Sequence, residues 1–120
     1  IKNALSEYDM DLSMIEAVLI THEHTDHIKG LPVLCKKTDI PIYASKKTKE
    51  YIVEHFPECD GRITDSDDNE ISLKRTKFKS FCVYHDSVDA HGYRITTADN
   101  RTVAFSTDVG HIDDSIFENI

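Results

Sequence analysis

Residues 21–27 read Thr-His-Glu-His-Thr-Asp-His, which places four potential metal ligands, His22, His24, Asp26 and His27, within six residues. Imidazole and carboxylate are donor types that suit zinc, manganese or iron. Spaced two residues apart in a loop, His22 and His24 can converge on one ion, while Asp26 and His27 point towards a neighbouring one. Two ions about 3.5–4 Å apart can bind an attacking water and a leaving oxygen together, which is hydrolytic chemistry. A lone loop histidine is more often a solvated surface residue, but four ligands packed so densely argue for metal. Further along, His85 and Asp108 each fall at the end of an expected strand. Alone, the histidine would be a structural or surface residue and the aspartate a turn former or helix cap. Together, downstream of the loop, they strengthen the metal reading.

Rigid elements must hold these side chains. The near-continuous apolar run at 16–21 ends at the histidine cluster and predicts a strand buried on both faces, with no direction of pairing implied. Ile28, Leu31, Leu34 and Cys35 recur at helical spacing, and Pro32 is tolerated only near a first turn. A helix is therefore expected to start just after His27, aiming its N-terminal amides at the cluster and favouring anionic substrates. Residues 2–9 predict another short helix, and 41–44 a short strand. Ser45 reads as the N-cap of a helix running to about Phe56, with Tyr51, Ile52 and Phe56 facing inward. The stretch 60–70 has loop composition. Phe81, Val83 and His85 share one face of an expected strand. Residues 93–98 and 101–107 predict a hairpin joined by Asp99-Asn100, residue types that accept positive φ. A short helix is expected from near Asp113. Helix and strand alternate early and give way to a β-rich end, so the fold class is α/β or α+β.

With 120 residues, 39% hydrophobic and 30% charged, the chain is one globular domain or a piece of one. No apolar run approaches the roughly 18 residues that span a bilayer, and the opening residues lack the regions of a signal peptide. Cys35, Cys59 and Cys82 are scattered without C-x-x-C spacing, which fits a reducing cytoplasm better than a disulfide framework. The net charge of −8 argues against broad electrostatic gripping of nucleic acid. That vote is weak, because two bound cations would make one local face positive. His91 and His111 are expected to be surface loop residues rather than substrate contacts, and His55 an exposed helix end. Lys46, Lys47 and Lys49 read as a solvated face, and Asp65, Asp67, Asp68 and Glu70 as an acidic loop without EF-hand spacing.

The pattern His22-x-His24-x-Asp26-His27, followed by His85 and Asp108, resembles the metallo-β-lactamase fold superfamily. Ile-Thr-His-Glu-His-Thr-Asp-His-Ile-Lys-Gly-Leu, Tyr-His-Asp-Ser and Ser-Thr-Asp-Val-Gly-His look most like its small cytoplasmic hydrolases of the WalJ/YycJ type, nucleases acting on DNA. The resemblance implies part of an αββα sandwich. It also implies two divalent metal ions, zinc or manganese: His22, His24 and His85 on one, Asp26 and His27 on the other, and Asp108 bridging both. A hydroxide shared by the two ions would be the nucleophile, and Asp26 would orient it or take up a proton. In the antibiotic-degrading members a cysteine takes the position of Asp108, so aspartate there resembles the phosphodiesterase and thioesterase branches. Two departures stand out. The family's opening pair of strands, with its aspartate, has no counterpart, and its last metal-binding histidine would fall beyond position 120, since His111 follows Asp108 too closely. Residues 1–120 are thus expected to be one such domain without the N-terminal strands and C-terminal segment, with one ligand of the second ion missing.

The expected function is a metal-dependent hydrolase, a phosphodiesterase acting on DNA, cytoplasmic and without a membrane partner. One alternative is hydrolysis of a small thioester, lactone or lactam, which the acidic charge favours; a fold alone cannot decide between chemistries. The other is a non-catalytic metal-binding fragment.

Overall fold

The computed structural model describes residues 12–22, 28–66, 70–82 and 91–105. Its strands are β1 (Val18–Leu19), β2 (Ile42–Ala44), β3 (Ile63–Asp65), β4 (Glu70–Ser72), β5 (Lys77–Cys82), β6 (His91–Thr96) and β7 (Thr102–Phe105). Helix α1 spans Leu31–Lys37 and α2 spans Lys46–His55, with short 3-10 turns at Leu12–Met14 and Pro57–Cys59. The helices expected over 2–9 and from near Asp113 lie outside the described residues.

Strands β1, β2 and β3 form a parallel sheet in that order, with Val18 opposite Ile42 and Ile42 opposite Ile63. Parallel neighbours require crossovers, and α1 and α2 supply them. Both helices lie on one face, where Ile20, Ile28, Leu31, Cys35, Ile42, Ala44, Ile52, Cys59 and Ile63 make the core. Tyr51 and Phe56 pack against its edge, as their helical spacing predicts. Ser45 caps α2 by accepting a hydrogen bond from the Thr48 amide at 3.3 Å.

The second sheet is antiparallel, in the order β4-β5-β6-β7. Phe78 and Tyr93 point from it towards the first sheet, where Tyr43 meets Phe78 edge-on at 5.1 Å. The described residues are thus mixed α/β: a helical layer, a parallel sheet and an antiparallel sheet packed in series.

Several elements differ from expectation. Strand β1 has two residues, both half-buried; among the described residues it is an edge of its sheet, and Leu19 borders a cavity of about 190 Å³. Ile28, directly after His27, is already helical, but Lys29 and Gly30 form a turn and α1 proper begins at Leu31: Pro32 lacks an amide proton and belongs in the first turn, so it sets that start. The loop-like stretch 60–70 contains β3 and the first residue of β4; only Ile63 of β3 is buried, so its polar composition hides a strand. On β5, Phe78 and Ser80 face the first sheet, while Phe81 lies on the opposite face against Gly92. Val83 and His85 lie outside the described residues. The hairpin β6–β7 is present but closes through a longer loop than a two-residue turn: Thr97 donates to Arg101, and Asn100 takes φ 64°.

Candidate metal centre

Six side chains were expected around the metals, and the structure describes one, His22. His24, Asp26, His27, His85 and Asp108 lie outside the described residues, among which no cluster of three metal-binding side chains occurs. The described residues do show how the chain holds the first of the expected ligands.

His22 sits where the two sheets meet. The Val18 amide donates to Pro41 O at 2.8 Å and the Ile20 amide to Tyr43 O at 2.9 Å, which fixes β1 on β2. From the other sheet, the Tyr93 hydroxyl donates to Ile20 O at 2.5 Å, and the His91 amide donates to Thr21 O at 2.8 Å. The residues leading into His22 are therefore tied from both sides. His22 itself is 0% exposed, and its Nδ1 lies 2.9 Å from the Thr21 hydroxyl. Ligating histidines commonly engage their second ring nitrogen with a polar neighbour, which orients the ring. With Nδ1 so engaged, Nε2, also buried, is the nitrogen that would ligate.

His91 is corrected by the structure. It opens β6, 6% exposed, instead of lying in a surface loop, and its Nε2 is 3.5 Å from Cys82 Sγ. The expected hairpin strand began two residues late, at Tyr93. The alternation His91, Tyr93, Ile95 was the available signal. His111 lies outside the described residues. Ser66 follows β3, is fully buried, and its amide donates to Ala44 O at 2.9 Å. The lesser readings hold for His55, which is exposed at the end of α2 and stacked on Tyr51, and for Lys47, which is exposed. Asp65 is exposed at the end of β3, and Glu70 pairs with Lys77 at 3.8 Å. Two cavities of about 340 Å³ each, lined by residues such as Lys74 and Thr97 or Glu16 and Pro41, lie at the end of the sandwich away from His22.

The chain belongs to the β-lactamase superfamily: the family described as beta-lactamase superfamily domain matches residues 4–120. It is 34% identical over 88% of its length to an exodeoxyribonuclease YycJ of Bacillus anthracis. It is 32% identical over 95% of its length to an exodeoxyribonuclease WalJ of Streptococcus pneumoniae. The chain spans 40% and 44% of those two proteins. Among solved structures, a metallo-β-lactamase with a HARLDQ motif from Cronobacter sakazakii superposes on 98% of this chain and 56% of its own, at TM-score 0.75 and 14% identity. That likeness confirms the fold.

The metallo-β-lactamase fold implies divalent metal ions. Of the expected ligands only His22 is described, and it fits them: a buried imidazole, engaged at Nδ1 and following residues tied to both sheets, has the chemistry and the rigidity that a metal ligand needs. No described helix is long and apolar enough to cross a membrane.

Proposed function

We propose that this chain carries the metal centre of a hydrolase that cleaves phosphodiester bonds in DNA. The observation that carries the reading is His22, buried at the head of the expected ligand run and preceded by two residues, Ile20 and Thr21, that are tied to both sheets. The exodeoxyribonuclease relatives, matched over nearly the whole chain, support DNA as the substrate. His22, His24 and His85 would hold one ion, Asp26 and His27 a second, and Asp108 both. When bound, the divalent ions would supply Lewis-acid chemistry, making water easier to deprotonate and polarising a phosphoryl oxygen. The chain's own part is to hold His22 through Thr21, Tyr93 and His91, and to orient the nucleophile or accept its proton at the Asp26 carboxylate. Three free cysteines suit a cytoplasmic protein.

The test is incubation of the full chain with linear DNA and RNA under manganese and under zinc. Release of nucleotides from DNA is expected; inertness towards both polymers under both metals would end this reading. The net charge of −8 favours a second reading, hydrolysis of a small thioester, lactone or lactam. Turnover of such a panel with nucleic acid untouched would establish it over the first.

A further inference from the structure

Cys35 and Cys59 lie 24 residues apart in sequence, yet the structure brings their sulfurs to 3.0 Å. Cys35 is in α1 and Cys59 ends the 3-10 turn that follows α2. Their approach is held by a second device. Arg62, three residues beyond Cys59, reaches back with Nη1 to Cys35 O at 2.6 Å and with Nη2 to Ile40 O at 2.9 Å. The turn is thereby locked against the end of α1, with the two thiols facing each other. Neither thiol has a part in the proposed metal centre.

We infer that Cys35 and Cys59 form a modification site, a dithiol that peroxide converts to a disulfide clasping α1 to the turn after α2. Cys35 is 8% exposed and Cys59 0%, so the small oxidant reaches Cys35 first. One peroxide oxygen passes to Cys35 Sγ, giving a sulfenic acid and one water. Cys59 Sγ then displaces the hydroxyl, the S–S bond forms, and the lost thiol proton leaves with that hydroxyl as a second water. Two thiols are oxidised and one peroxide is reduced. A buried pair facing each other favours this closure over further oxidation of either sulfur. Cys82, exposed and on β5, stands apart from the pair.

The experiment treats the full chain with one equivalent of hydrogen peroxide, alkylates remaining thiols in denaturant, and maps the peptides. The expected product is a Cys35–Cys59 cross-linked peptide that disappears on reduction. The oxidised chain should also melt on the order of 10 °C higher than the reduced chain, because the closed loop constrains the unfolded state. Cys35→Ser should abolish both the cross-link and the shift. Recovery of Cys35 and Cys59 as alkylated thiols or separate sulfinic acids, or a cross-link to Cys82 instead, would overturn the assignment.

Discussion

Replacing Tyr93 by phenylalanine removes one oxygen atom and keeps the ring. That oxygen donates to Ile20 O at 2.5 Å, two residues before His22, and Tyr93 is 1% exposed. In Tyr93→Phe the Ile20 carbonyl loses this donor inside a buried interface, and a buried group left unsatisfied costs about 1–3 kcal/mol. The edge-on contact of the ring with Phe78, at 5.9 Å, has no reason to change, so the cavity penalty of a larger truncation does not apply. At about 1.4 kcal/mol per factor of ten, the folding equilibrium should fall roughly 5- to 150-fold. Urea denaturation followed by circular dichroism reads this as a lower midpoint with an unchanged slope. Because the lost bond holds the strand that leads into His22, affinity for manganese or zinc should fall as well. An unchanged midpoint together with unchanged metal affinity would show that the tie between Tyr93 of β6 and Ile20 carries no weight, and the positioning argument for His22 would fail.

Three further outcomes are expected. In Gly92→Ala the new Cβ would sit 2.6 Å from Phe81 Cζ and 2.8 Å from Phe105 O; the backbone oxygen cannot easily yield, so stability should drop by about 1–3 kcal/mol in the same denaturation assay. Ser45→Ala removes the side-chain cap from α2 and should lower stability by about 1 kcal/mol, which thermal unfolding will reveal as a reduced Tm. Burial, and then the hydrogen bond from Cys35, push the Cys59 thiol up from 9.0 to about 12. Since the folded value is the raised one, the stability linked to this group is full below pH 9 and lost as pH rises towards 12. The difference in Tm between the native chain and Cys59→Ala should therefore shrink across that window, and a constant difference would refute the shift.

Much of the first half was legible because local chemistry fixed it. Ser45 had to be a cap, and Ile52 had to face inward, since a capping hydroxyl and a helical apolar stripe leave few other arrangements. Pro32 marked a helix start, although the chain spends Lys29 and Gly30 before α1 begins. Strand β3 was hidden because only Ile63 among its three residues is buried, so no alternation could be read. His91 was misjudged because its burial depends on Thr21, seventy residues away, whose carbonyl its amide reaches. The meeting of Cys35 with Cys59 was equally invisible, for it arises from the crossover through β2 and α2 rather than from any spacing. His22 is singled out by residue types alone, while its contact with Thr21 and the pins that Tyr93 and His91 place on Ile20 and Thr21 belong to tertiary structure.

The most direct measurement is calorimetric titration of the metal-free chain with manganese and with zinc, beside His22→Ala. The native chain should bind with an affinity that His22→Ala lowers by at least 10- to 100-fold, the scale on which even supporting residues of metal sites act. Equal affinity and stoichiometry in the two proteins would contradict a metal centre built on His22.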